Sequence, residues 1–218
     1  MSYQIAIDGP AGAGKSTIAK AVAKKLGYIY VDTGAMYRAM ALYLLRQGIR
    51  ADECEKISAA SRDADITIVY RDGLQQVLLN GENVTGFLRT EEVGNMASAS
   101  SVNRDVRLKL VELQRELAER ENVVMDGRDI GTYVLPKANV KVYLTASPAC
   151  RAKRRYDELT EKGESCDLAA IEADIVERDK RDMEREFAPL RQAEDAVYVD
   201  SSDMTIEEVI EAITALIH

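Results

Sequence analysis

The densest chemistry in the sequence lies in one short stretch, Gly9-Pro10-Ala11-Gly12-Ala13-Gly14-Lys15-Ser16, with Thr17 directly after it. It matches GxxxxGK[ST] at every fixed position and stands between a strand-like run ending at Asp8 and a run of helical character, the context that gives the pattern a mechanism. Glycines permit backbone conformations closed to other residues, so main-chain N–H groups can converge on an anion, and the N-terminus of the following helix adds a favourable dipole. The stretch therefore predicts a cradle for the phosphates of a nucleoside triphosphate. Lys15 would reach the β- and γ-phosphates, the Ser16 hydroxyl would join the Mg²⁺ that travels with the nucleotide, and Thr17 would extend the polar rim. Asp126, at the end of a later strand-like run, is a candidate carboxylate for the water shell of that ion, with strand-end capping as the alternative.

The cradle does not say what receives the phosphate. A GTPase would carry DxxG and NKxD elements; neither occurs, and the run ending at Asp126 continues Gly127-Arg128-Asp129 with no glycine where DxxG needs one. Two other stretches, VDTGAMYRAM from Val31 and MDGRDIGTYV from Met125, offer Asp32, Thr33, Arg38, Arg128 and Asp129, a mixture suited to a polar phosphorylated second substrate. Later in the chain Arg178, Arg181, Asp182 and Arg185 fall at i, i+3, i+4 and i+7, one face of a helix, and Arg151, Arg154 and Arg155 cluster one segment earlier. Ion pairing with nearby glutamates is the ordinary use of such residues, and that reading stands for Arg155 and Arg178. A transfer site for two phosphorylated substrates nevertheless needs several cations, and arginine matches phosphate bidentately.

These residues need a frame to bring them together. Five short apolar runs rich in β-branched residues predict strands: Gln4 to Asp8, Tyr28 to Asp32, Asn122 to Asp126, Val140 to Ala146 and Ala196 to Asp200. Helical segments separate them, as in a parallel sheet covered on both faces, so ligands belong at the carboxyl ends of the strands. Val106, Leu110, Leu113 and Leu117, and Ile206, Val209, Ile210, Ile213 and Ile217, form helical core stripes. Ala64 to Gly86 breaks the rhythm with strand-like runs punctuated by Asp72-Gly73 and Asn80-Gly81, which predicts a small antiparallel insert. From Arg151 to Arg191 the chain is densely charged, with Gly163 the expected break between two helices.

With these pieces in order, the chain resembles the bacterial cytidylate kinases, within the nucleoside monophosphate kinases. The carriers are GPAGAGKST, DTGAMYR, the insert, RTEEVGNMASASSVNRDVR, DGRDIGT and ERDKRDMEREFAPL. The resemblance implies an α/β P-loop nucleoside monophosphate kinase fold: a five-stranded parallel sheet flanked by helices, with a small antiparallel β insert and a helical lid. It implies one domain over residues 1–218, with a core at 1–32, 106–150 and 187–218, a monophosphate-binding region at 33–105 holding the insert at about 64–88, and a lid at about 151–186. The implied reaction transfers the γ-phosphoryl group of ATP, as its magnesium complex, to CMP or dCMP.

The resemblance also implies roles. Gly9, Pro10, Ala11, Gly12, Ala13, Gly14, Lys15, Ser16 and Thr17 would hold ATP, with Arg154 and Arg181 serving the transferring phosphates from the lid. Arg38, Arg128 and Arg185 would grip the acceptor phosphate, Asp182 the ribose, and Ser98, Arg107 and Asp129 the cytosine, with Asp32 and Thr33 in the same acceptor site. Cytosine presents an amino donor beside two acceptors where uracil presents a carbonyl and a ring N–H. A carboxylate at Asp129 and a guanidinium at Arg107 would thus discriminate by about 1 to 3 kcal/mol per buried mispaired group. The acceptor is already an anion, so no general base is required. Two departures from the family pattern stand out: Ser16-Thr17 where many relatives have Gly-Thr, and DTG in place of a frequent DSG.

Composition narrows the rest. At 218 residues with 46% hydrophobic content the chain can build one substantial core, and a formal charge of −8 argues against a duplex-binding face. Cys54, Cys150 and Cys166 form no CxxC pair, His218 is the only histidine, and the longest apolar run, Ala39 to Leu45, is too short to span a bilayer. The expectation is a cytoplasmic monomer without nucleic-acid or membrane partners. Two rivals remain at this point: a kinase for UMP or another small acceptor, and a nucleotide-gated binding protein that hydrolyses ATP to switch partners.

Overall fold

The computed structural model describes residues 2–71 and 73–217. The first half of the chain forms β1 (Gln4–Asp8), α1 (Lys15–Leu26), β2 (Ile29–Asp32), α2 (Thr33–Arg46), α3 (Cys54–Asp63), β3 (Ile66–Arg71), β4 (Leu74–Leu79), β5 (Glu82–Asn83) and α4 (Glu91–Ser100). It continues with α5 (Arg104–Arg120), β6 (Val123–Gly127), a π-helical turn at Ile130–Val134, β7 (Val140–Thr145), α6 (Pro148–Glu161), α7 (Leu168–Glu184), β8 (Val197–Asp200) and α8 (Ile206–Thr214).

All five predicted strands form one parallel sheet in the order β2-β6-β1-β7-β8. The period-two geometry of a strand sorts its side chains: Ile5 and Ile7 join α1 and α8 on one face, while Ala6, Val123 and Met125 join α2 and α5 on the other. Burial on both faces explains why β1, β6 and β7 are apolar almost throughout, whereas the edge strand β8 leaves Val197 and Tyr198 exposed. Helix α1 presents Ile18, Ala19, Val22 and Ala23 to the sheet, and α8 is started by a Thr205–Glu208 capping box. The predicted stripe on α8 holds at Val209 and Ile213, with Ile210 and Ile217 packed against the same core, while Ile206 is exposed.

The insert is an antiparallel sheet in the order β3-β4-β5. Its second turn places Asn80 at φ 50° and Gly81 at φ 81°, the conformation for which Asn-Gly is suited; Asp72 of the first turn, like His218, lies outside the described residues. The insert docks on the free edge of β2 through side chains. The Gln75 amide oxygen accepts from the Asp32 N–H at 2.8 Å, its amide nitrogen donates to the Asp32 carbonyl at 3.3 Å, and the Tyr70 hydroxyl donates to the Tyr30 carbonyl at 3.1 Å. A glutamine thus occupies the place of a strand partner.

Helices α6 and α7 form the expected hairpin, broken around Gly163. One expectation is corrected. Arg185 does not continue the helical face of Arg178, Arg181 and Asp182, because α7 ends at Glu184 and Arg185 is extended, with ψ 140°. The chain turns there because Nε of Arg185 donates to the Ala188 carbonyl at 2.7 Å and the Leu190 N–H returns to the Asp182 carbonyl.

Candidate active site

The loop after β1, the start of α2 directly after β2 and the segment after β6 all lie at the carboxyl edge of the sheet, where ligands of such sheets bind. Residues 9–14 wrap the start of α1. A Cβ at Gly9 would stand 1.9 Å from the Leu144 carbonyl oxygen of the neighbouring strand, and Gly14, with φ 83°, precedes the helix in a left-handed conformation. The α1 N-terminus has no side-chain cap, so its first N–H groups point into this loop.

Lys15 is buried at the base of the loop and donates to the Pro10 carbonyl at 2.6 Å. Burial and the neighbouring Arg128 guanidinium hold its ammonium well below the usual lysine range, against the pull of Asp126 and Asp8. Ser16 donates to Asp126 Oδ2 at 2.8 Å and the Tyr30 hydroxyl to Oδ1 at 2.9 Å. Burial, then the nearby Asp32 charge, raises the Asp126 pKa. A cation beside Ser16 and Asp126 would offset both costs, and their hard oxygen donors suit Mg²⁺. Among the described residues no group of three His, Cys, Asp or Glu side chains is placed to hold a metal unaided. The ion would fit this site as a partner of a polyphosphate.

A second set of charges lies within reach of Lys15. Arg128 donates from Nε to Asp182 Oδ2 at 2.8 Å, and Arg185 approaches Asp182 Oδ1 at 3.6 Å. Burial, then the charges of Arg128, Asp182 and Arg38, act on Arg178, whose pKa is lowered overall. Arg38, Arg128 and Arg178 therefore come near one another from α2, the end of β6 and α7, and the buried carboxylates of Asp182, Asp126 and Asp179 balance part of the charge at Arg128. Bringing cations together under partial burial is costly unless an anion joins them. The arrangement fits a phosphate group.

Beside this cluster, Arg107 and Asp129 form a buried pair at 2.5 Å, and Arg185 Nη2 reaches the same Asp129 oxygen at 3.2 Å. Arg107 also donates to the Ser101 carbonyl and lies over the Tyr37 ring, which burial holds at a pKa of about 12. Asp129 Oδ2 and Arg107 Nε have no protein partner although both are buried. A free acceptor beside a free donor suits a base edge that carries one of each.

Several predicted site residues do other work. Asp32 caps α2 by accepting from the Ala35 N–H at 2.9 Å, and the Thr33 hydroxyl donates to the Asp126 carbonyl at 2.6 Å. Both Asp182 oxygens face guanidinium groups. Arg154 donates to Ser201 at the turn after β8, and Arg155 pairs with Glu158 on the surface. Arg181, expected at the transferring phosphates, donates to Ser98 Oγ at 3.0 Å, joining α7 to α4. Arg151 instead meets the phosphate loop: it donates to the carbonyls of Ala11 and Ala146 and pairs with Asp179 at 2.6 Å. Sequence reasoning left Arg178 among surface ion pairs. The available signal was its place three residues before Arg181 on the same helical face, which a pattern alone could not separate from solvent exposure.

A family model described as cytidylate kinase matches residues 5–218. The chain is 53% identical over 214 residues to a protein named cytidylate kinase from Caldicellulosiruptor saccharolyticus, covering 98% of this chain and 95% of that one. It is 47% identical over 209 residues to one of the same name from Bacillus subtilis, covering 96% and 93%. Among solved structures, an uncharacterized protein from Eubacterium ventriosum superposes with a TM-score of 0.53 at 14% identity, covering 100% of this chain and 98% of that chain, a likeness of fold alone.

Proposed function

Since the chain belongs to the cytidylate kinase family, we propose that it transfers the γ-phosphoryl group of ATP to CMP or dCMP, giving CDP or dCDP and ADP. The observation that carries the reading is the adjacency of two anion sites: the loop with Lys15, and the cluster of Arg38, Arg128 and Arg178, whose Arg128 charge is felt at Lys15. Two phosphorylated substrates seated there would meet end to end, and transfer would depend on alignment and charge stabilisation. ATP would bind as its magnesium complex, with Ser16 and Asp126 the residues that would hold the ion, which would supply charge withdrawal from the phosphate oxygens. Lys15 follows the charge onto the leaving phosphates, while Arg128 lies between the two sites.

The acceptor phosphate is held by Arg38, Arg128 and Arg178, with Arg185 linked to them through Asp182. Asp129 Oδ2 accepts from the cytosine amine and Arg107 donates to the ring acceptors, with Ser98 nearby. Uracil would set a carbonyl against the carboxylate. The α6–α7 hairpin serves as the lid: Arg151 ties its base to the phosphate loop and Arg181 ties its far helix to α4, so its closure would exclude water from the transfer. Among the described residues no helix is long and apolar enough to cross a membrane. The chain acts on free nucleotides, as a cytoplasmic monomer.

Initial rates with ATP against CMP, dCMP, UMP and AMP test this reading. CMP and dCMP should lead the panel, and a preference for UMP or AMP over both would end it. ATP hydrolysis independent of any monophosphate would instead support a nucleotide-gated switch.

A further inference from the structure

We propose that Asp8 is a positioning residue for the acceptor: its carboxylate fastens the start of the 130–134 turn to the strand that carries the phosphate loop, and so sets Arg128 and Asp129 against the bound monophosphate. The inference rests on the cytidylate reading and deepens it.

Asp8 is the last residue of β1, immediately before Gly9, and is buried. It makes no ion pair at salt-bridge distance among the described residues. Its Oδ1 accepts from the Ile130 N–H at 2.8 Å and its Oδ2 from the Gly131 N–H at 2.7 Å. Those two N–H groups open a single π-helical turn, inside which the N–H groups of Tyr133 and Val134 return to the Asp129 carbonyl and that of Leu135 to the Ile130 carbonyl. The first donors of such a turn have no partner within it. Asp8 caps it from 122 residues away. The residues just upstream are Arg128 and Asp129, so a side chain at the root of the ATP loop fixes the piece of backbone that presents the acceptor's guanidinium and carboxylate. Alignment of the two substrates is the main catalytic requirement here, and one misplaced ångström is expensive.

The electrostatics agree with a residue kept for geometry. Burial raises the Asp8 pKa to about 7, with Asp129 adding to the rise while the two N–H groups and Lys15 oppose it. The titratable groups around it are Lys15 after the loop, Asp129 just before the turn, and Lys141 and Tyr143 on β7. The ionised form accepts both N–H bonds; on protonation one oxygen becomes an O–H and one donor of the turn loses its partner. The fastening is therefore half lost near pH 7, approaches completion about a unit above it and weakens further below.

The test is Asp8→Asn in the full chain, run beside wild type with ATP and the CMP and UMP panel. The amide retains one acceptor and turns an NH₂ toward the other N–H. Loss of one bond to a charged acceptor should raise KM for CMP about tenfold and lower the CMP to UMP preference by a similar factor, with KM for ATP within about threefold. From pH 8 to pH 6, kcat/KM for CMP should fall more steeply in wild type than in the variant, since titration of the CMP phosphate itself near pH 6 is common to both. Unchanged CMP constants and selectivity would overturn the proposal. So would a uniform loss in kcat and in both KM values accompanied by a lowered Tm, which marks a merely structural role. A wild-type enzyme that fails to prefer CMP fails the underlying reading instead, and shows it before the variant is made.

Discussion

Arg178 and Lys15 separate the two halves of the site at the level of single side chains. Removing Lys15 takes the only lysine from the loop and its charge from the phosphates it follows, so Lys15→Ala should lower kcat by about 10²-fold or more with the fold retained. Arg178→Ala removes one of three converging cations from the acceptor cluster, so KM for CMP should rise about tenfold or more while ATP affinity stays near wild type. Steady-state kinetics with each substrate varied in turn check both. Equal changes toward ATP and CMP in the Arg178 variant would remove it from the acceptor site. Lys15 is legible in the sequence because its neighbours in the chain are its neighbours in space. Arg178 is not, because what distinguishes it from the more exposed Arg181 is how deeply each lies against Arg38 and Arg128, and those arrive from other elements. The same holds for Asp8, whose two partners lie more than a hundred residues away.

The strands and turns are legible for a related reason. Apolar runs ending in Asp, and an Asn-Gly pair with both residues at positive φ, express preferences set within a few residues. The end of α7 is not of that kind. Its sequence continues the helical pattern through Arg185, but a tertiary contact to Asp129 and a local one to Ala188 pull the chain out, with Ala188 in a left-handed conformation, φ 49°, that costs about 1 kcal/mol or more. The docking of the insert is equally invisible, because a side-chain amide replaces a strand. Gln75 satisfies both backbone groups of Asp32, the residue that caps α2, and α2 carries Arg38. The insert therefore braces the element that carries Arg38, an arginine of the proposed acceptor site. Gln75→Ala should lower Tm by a few degrees, since about 1 kcal/mol moves the midpoint of a chain of this size by 2 to 4 °C, and should raise KM for CMP several-fold with KM for ATP unchanged. Thermal melts and kinetics together decide it. A drop in Tm without a change toward CMP would reduce the insert to packing.

Across the whole molecule, charge is unevenly distributed: a chain with a formal charge of −8 brings Arg38, Arg107, Arg128, Arg178 and Arg185 close to one another. Several cost the isolated protein something, as the lowered pKa values of Lys15, Arg178 and Arg185 indicate, each with burial as the leading cause. Anions at the two sites share that relief, because Arg128 influences both Lys15 and Arg178. A mechanical link runs alongside. Arg151 joins the α6–α7 hairpin to the phosphate loop at Ala11, and Arg181 joins the same hairpin to Ser98 on α4. If the hairpin closes as one body, a monophosphate that steadies α4 and a triphosphate that steadies the loop favour the same closed state, and each must tighten the other by the same factor. Calorimetric titration of a non-hydrolysable ATP analogue with and without CMP should show tightening of about 5-fold or more in the wild type, within the usual range of coupling energies. Arg181→Ala should bring that factor toward one while leaving binding of the analogue alone nearly unchanged, because Arg181 contacts Ser98 and Glu177 and not the loop. Full coupling in the variant would mean that the electrostatic route through Arg128 carries the effect and that the Arg181 contact is incidental.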